Sequence, residues 1–248
     1  MTGYQRNHNT SRNRISRLML ACAAACTMAI ELAACGSSGS AVSSTGSGSS
    51  ASQDQTTPAP SGSSGGAESK VLIVYFSREG ENYWKGGRRN LEVGNTQRIA
   101  DILQSLTNAD VFRIRAADPY SDNYDETVSR NVQEQDSDAR PAIADPLPDI
   151  SSYDTILLGS PIWNMQEPMI MRTFCDNYDF AGKTVYPFVT YAVSGAGRVA
   201  SDYATYCKNA KIGETLAIRG EEAADSQPQV ETWLRDQGLL PSLPSGKQ

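Results

Sequence analysis

Histidine is almost missing from this sequence. Its 248 residues include one, His8. The chain beyond that residue therefore has no imidazole for Ser-His-Asp or Cys-His catalysis, for histidine-held zinc or haem, or for a general base. Cysteine is scarce too. Cys22, Cys26 and Cys35 lie in the first 35 residues, which leaves Cys175 and Cys207 and no C-x-x-C pair. That argues against thiol–disulfide exchange and cysteine-held metal clusters. The apolar run "LMLACAAACTMAI" at 18–30 has 13 residues, short of the roughly 20 that cross a bilayer. Basic charge is also in short supply. Past residue 35 there are 18 Lys and Arg against 27 Asp and Glu, a net of −9. That balance argues against a nucleic-acid partner, because phosphates need a basic face.

What is present begins with a leader pattern. Residues 1–17 carry Arg6, Arg12, Arg14 and Arg17 and no acid, and the apolar run follows. The length and flanks suit a secretory signal. "LAAC" at 32–35, followed by Gly36, resembles the processing box of a bacterial lipoprotein, with Glu31 as a departure from that pattern. The resemblance implies that residues 1–35 are a signal peptide, that Cys35 is lipidated, and that the protein is anchored on the extracytoplasmic face of the cell membrane. An ordinary secretory signal or an uncleaved anchor is the alternative. Residues 36–69 are nearly all Gly, Ser, Ala, Thr, Gln and Pro. They cannot build a core and are expected to form a flexible tether with a reach of roughly 30 Å.

A regular pattern starts at residue 70. "VLIVYFS" (71–77) is a continuous apolar run, as expected of a strand covered on both faces. "GNTQRIADILQSL" (94–106) follows, with Ile99, Ile102, Leu103 and Leu106 on one helical face. Further strands are expected at 111–116, 155–160, 184–192 and 214–218, although Pro187 is unusual inside a strand. Further helices are expected at 121–136, from the four-residue spacing of Tyr124, Val128 and Val132, and at 167–177, 197–210 and 226–238. Pro168 suits the first turn of the second of these four, and Ser226 and Gly238 suit the two ends of the last. Five strands alternating with helices imply a three-layer α/β/α domain at 70–239, a doubly wound parallel sheet with a short tail at 240–248. Ligands of such sheets bind outside the carboxyl ends of the strands.

Three loops therefore matter. The first runs from Ser77 to Gly94-Asn95-Thr96, where small polar residues open a helix and its free N–H groups suit an anion. Simple capping is the alternative, and no Lys follows the glycine as a Walker loop requires. The second is "GSPIWNMQEP" (159–168), in which Trp163 either offers a flat face to a ligand or packs into the core. The third, "YAVSGAGRVA" (191–200), fits G-x-G-x-x-A. The acid expected about 20 residues on is Glu214, which starts its strand rather than ending it. The loop is thus better understood as small residues beside a ligand bound next door than as a dinucleotide site.

"VLIVYFS", "GNT", "GSPIW" and "SGAG", in this order and spacing, resemble the flavodoxin-like family. The resemblance implies strand order 2-1-3-4-5 and non-covalently bound FMN. It assigns Ser77, Gly94, Asn95 and Thr96 to the phosphate loop, and Pro161, Ile162, Trp163 and Asn164 to the loop along the isoalloxazine. Thr190, Ser194, Gly195 and Gly197 fall at its far edge. No catalytic residue and no metal is implied. Two departures stand out. About sixteen residues separate Ser77 from Gly94, including "NYWKGGRRNLEV", which is expected to form a hairpin turning at Gly86-Gly87. Trp163 is followed by Asn164-Met165 where the family often has glycine.

The implied function is electron transfer, with a redox protein or membrane electron carrier as partner. An FMN-dependent NAD(P)H quinone or nitro reductase, and a flavin-free binding module on the same fold, are the alternatives. Cys175 and Cys207 fall near the ends of neighbouring helices. They either pair outside the cytoplasm or stay buried as free thiols.

Overall fold

The run "VLIVYF" forms the central strand of the domain. In this computed structural model, which describes residues 70–241, β1 (Val71–Phe76) sits between β4 (Asp110–Ile114) and β5 (Thr155–Pro161), parallel to both. The expected leader, tether and lipidation site Cys35 lie outside the described residues, as does most of the expected tail.

Alternation within these strands divides the core in two. Leu72, Val74, Phe76, Ile156 and Leu158 pack on one side with Ile170 and Phe174 of α3 (Met169–Asp176) and with Val199 and Tyr203 of α4 (Val199–Tyr206). Ile73, Tyr75 and Leu157 pack on the other with Ile99 and Leu103 of α1 (Asn95–Thr107) and with Val230 and Leu234 of α5 (Gln227–Asp236). The predicted α1 face is thus the buried one, with Ile102 and Leu106 packed at its rim.

The sheet order is β4-β1-β5 and then β6 (Thr184–Tyr191), which pairs both β7 (Lys211–Ile212) and β8 (Leu216–Arg219). This is the doubly wound 2-1-3-4-5 order with its fifth strand in two pieces, β7 and β8. The single strand expected at 214–218 is corrected accordingly. The break has a local cause. Val185 pairs Ile212 and Phe188 pairs Leu216, so the gap lies opposite Tyr186 and Pro187. Proline has no N–H to give a ladder, and the Tyr186 ring occupies the space that a side chain at Gly213 would need.

Two other expectations change. The insertion after β1 is a hairpin of β2 (Gly80–Trp84) and β3 (Gly87–Leu91), but Trp84 pairs Gly87, so the turn is Lys85-Gly86. Both turn residues have positive φ, 47° and 87°, the geometry of a two-residue type I′ turn. The helix expected at 121–136 is α2 (Tyr124–Asp136), capped by Asn123, whose side chain accepts from Glu126 N. It turns its polar face inward. Thr127, Asn131 and Glu134 are buried, while Val128 and Val132 are 42% and 43% exposed. Buried partners explain the reversal. Tyr120 Oη donates to Glu134 at 2.8 Å, Thr127 Oγ1 donates to the Ser121 carbonyl, and Gln135 Nε2 donates to Asn131 Oδ1. Among the described residues no helix is long and apolar enough to cross a membrane.

Candidate functional site

The carboxyl ends of β1, β5, β6 and β8 surround a cleft. It opens to solvent. Its floor is hydroxyl-rich. Ser77 leaves β1 and its Oγ accepts from Gln97 N at 3.1 Å, so a side chain 20 positions away completes the first turn of α1. Gly94 precedes that helix with ordinary extended backbone, φ −65° and ψ 149°. Glycine is required there by space. A Cβ would lie 2.2 Å from Ser77 Oγ and 2.6 Å from the Arg78 carbonyl. The amides of Asn95 and Thr96 have no intrahelical carbonyl to meet, and the positive end of the α1 dipole faces the cleft with them.

Thr96 and Thr190 come from α1 and β6, 94 residues apart, and their hydroxyls meet at 2.7 Å in a buried contact. Asn95 stands beside Gly220, where a Cβ would come within 2.5 Å of Asn95 Nδ2. Its Oδ1 is buried without a hydrogen-bond partner, an acceptor left for something in the cleft. The basic residue of the lining is Arg78. Its guanidinium donates to the carbonyls of Ser121, at 2.8 Å, and Glu81, which ties the hairpin to the loop ahead of α2. Burial pulls its pKa down from the ordinary arginine value, against the opposing effect of Asp122, Tyr124, Glu81 and Glu79.

One wall is the loop after β5. Ile162 N donates to the Thr190 carbonyl at 2.8 Å, which holds this loop to β6. Trp163 is half-buried and edge-on to Phe76 and Tyr120, with ring centroids 5.6 and 5.1 Å away. It therefore both packs on the core and lines the cleft. Trp163 and Gln166 bracket a tight turn in which Asn164 and Met165 have φ of 52° and 69°. Positive φ costs a residue like Met of order 1–3 kcal/mol and persists only where the surroundings fix it. They do here: Asn164 Nδ2 donates to Gln135 Oε1 at 2.8 Å, Gln135 Nε2 to the Trp163 carbonyl at 3.1 Å, and Arg198 N to the Met165 carbonyl at 2.9 Å.

Behind the turn Glu167 is fully buried and paired with Arg172 at 2.8 Å, while its second oxygen has no partner. Burial pushes its pKa up to about 7, against the opposing pull of Arg172.

The structure thus brings Ser77, Asn95, Thr96, Pro161, Ile162, Trp163 and Thr190 to one cleft, with Gly94 packed beneath Ser77. Asn164 lines a neighbouring pocket. Ser194, Gly195 and Gly197 do not line the cleft; Tyr191 and Ala192 of the same loop do. Gly197 serves the turn next to it instead, since a Cβ there would lie 2.3 Å from the Met165 carbonyl. The lining also includes Asn82 and Tyr83 of the hairpin, Tyr124 of α2, and Gly220-Glu221 after β8. Sequence reasoning did not place Asn82, Tyr124 or Gly220-Glu221 there. The rule that ligands sit at strand ends points to residues 220–221, because they follow the fifth strand. Nothing local announces that α2 folds over the cleft.

The family model described as Flavodoxin matches residues 91–236. Two solved structures assigned as flavoproteins superpose on the chain. The one from Bacteroides eggerthii is 28% identical with a TM-score of 0.55, covering 68% of this chain and 97% of its own. The one from Bacteroides uniformis is 27% identical with a TM-score of 0.54, covering 68% and 99%. A flavoprotein from Lactobacillus acidophilus, solved in complex with FMN, is 20% identical with a TM-score of 0.46, covering 64% and 99%. Curated proteins give no match.

Proposed function

The chain belongs to the flavodoxin family, and from that premise we propose that it is an FMN-binding electron-transfer protein tethered to the outer face of the cytoplasmic membrane. The observation that carries the cofactor is the fit of the cleft. Hydroxyls of Ser77 and Thr96 and the free amides opening α1 suit a phosphate. The unpartnered Asn95 Oδ1 suits a hydroxyl of the ribityl chain. Ile162 and Trp163 supply an apolar wall for a flat ring.

Bound FMN would supply one- and two-electron redox chemistry. The chain's own part is to bind, orient and tune. The Ser77–Gln97 and Thr96–Thr190 bonds hold the polar floor, and Gln135 and Arg198 hold the Trp163 turn, so the wall is set before a ligand arrives. Transfer of electrons alone needs no general acid or base, in keeping with the missing histidines. The leader residues support the location: the "LAAC" box offers Cys35 for lipidation, and the tether at 36–69 would let the domain meet a redox protein or a membrane electron carrier.

The first experiment is the visible absorption spectrum of the purified protein, with chromatography of any released cofactor. Flavin bands and released FMN are expected. A colourless protein that also fails to bind added FMN would overturn the proposal. Location is tested by cell fractionation: Cys35→Ala should leave the membrane fraction, and retention there would refute the lipid anchor.

A second reading has one observation behind it. The neighbouring pocket shares Arg78, Asn82, Tyr124, Ile162 and Trp163 with the cleft and adds the exposed Val128 and Val132. Such a pocket could admit an organic acceptor, as an NAD(P)H-dependent quinone or nitro reductase needs. Bleaching of the flavin by NADH, without any partner protein, would favour that reading.

A further inference from the structure

Cys175 lies in the last turn of α3, and Cys207 follows α4 as its C-cap. The two sulfurs stand 3.0 Å apart, 32 positions apart in sequence. That is about 1 Å longer than an S–S bond of ~2.05 Å, and both residues carry free thiols here. They are the only two cysteines among the described residues. Their exposures are 0% and 1%, and Phe174, Phe180, Val185 and Tyr203 belong to the same apolar cluster. Two small apolar residues would fill this space equally well, so packing alone does not call for two thiols side by side.

We propose that Cys175 and Cys207 form a structural disulfide when the chain folds in oxidising surroundings. The two thiols lose two protons and two electrons as the bond forms. The disulfide of an oxidising thiol protein, or glutathione disulfide, accepts them and becomes two thiols. Burial pushes the Cys175 thiol well above its ordinary pKa, so little reactive thiolate exists once the core has closed. The bond therefore forms as α3 and α4 come together, before their ends are sealed. It joins the helices that follow the two loops beside the cleft, the Trp163 loop and the 192–198 loop. Formation in the cell rests on the proposed export, because that compartment holds the oxidant; formation in the test tube does not.

The experiment is refolding of the full-length reduced chain in a glutathione/glutathione disulfide buffer, acid quench, alkylation without reduction, and peptide mapping by mass spectrometry. A linked Cys175–Cys207 peptide pair is expected in most molecules. The unfolding midpoint should rise by about 5–15 °C over the dithiothreitol-reduced protein, from the entropy removed by closing a loop of this length. Recovery of both cysteines as alkylated thiols, or a linked form that melts no higher than the reduced one, would overturn the proposal. Cys175 and Cys207 of the reduced, folded protein should also resist a soluble thiol reagent until it unfolds; rapid labelling of either, mapped by peptide, in the native state would contradict the sealed geometry. Fractionation of cells reports separately on export. A cytoplasmic protein that still links in glutathione buffer would sink the location and leave the bond.

Discussion

Gly94 separates two reasons for keeping a glycine. Its backbone is ordinary, at φ −65°, so alanine adds no conformational strain. Its surroundings are closed. A Cβ would sit 2.2 Å from Ser77 Oγ and 2.6 Å from the Arg78 carbonyl, where ordinary contact begins near 3.4 Å. Gly94→Ala must therefore move the Ser77 loop by about 1 Å and break the Ser77 Oγ–Gln97 N bond. The lost bond costs about 0.5–1.5 kcal/mol and the overpacking about 1–3 kcal/mol. Together they predict about 1.5–4.5 kcal/mol, or roughly 3–18 °C in the melting midpoint of a domain this size. Affinity for FMN should fall as well, because the displaced hydroxyl and helix end are the proposed phosphate site. Gly182→Ala is the control. That glycine has φ +77° and nothing within 4 Å, so it should cost about 1–2 kcal/mol of backbone strain and leave FMN affinity unchanged. Thermal unfolding and flavin fluorescence titration measure both quantities. In a Ser77→Ala background the cost of Gly94→Ala should shrink, since one of the two clashing atoms is gone. If Gly94→Ala melts and binds like the wild type, the steric reasoning is wrong.

Three further outcomes follow from the same contacts. Thr190→Val removes one of two buried hydroxyls and leaves Thr96 unpaired; a loss of about 1–3 kcal/mol by urea unfolding is expected, and no loss would show that the pair contributes nothing. Trp163→Leu forfeits two edge-on aromatic contacts, about 0.5–1.5 kcal/mol each beyond burial, and should weaken FMN binding; a variant that binds FMN normally would remove Trp163 from the proposed site. Glu167 has a folded-state pKa raised to about 7 by burial, above its unfolded value near 4.5. Its carboxyl therefore favours the folded state most below pH 4.5, and that contribution is lost as pH rises through about 7. Melting curves between pH 5 and 8.5 should show a downward trend that Glu167→Gln flattens, and equal slopes for the two proteins would refute it.

The sequence by itself determined the layered β/α order and the position of the cleft. Apolar runs and i, i+3, i+4 spacing are local, and strand ends follow from them. The run at 71–76 is buried on both faces because it lies between two helical layers, as its unbroken apolar character requires. The first two loops were legible for the same reason, since Ser77, Thr96 and Trp163 stand at element ends. Tertiary structure decided what no spacing encodes. It reversed α2, because Glu134 and Thr127 found buried partners at Tyr120 and Ser121. It gave Gly197 to the neighbouring Met165 carbonyl rather than to the cleft. It split the fifth strand opposite Pro187, shifted the hairpin turn to Lys85-Gly86, and joined Thr96 to Thr190 and Cys175 to Cys207. Each of these depends on residues brought together across the fold. Chain periodicity fixes which way a side chain points, and packing alone fixes what it meets.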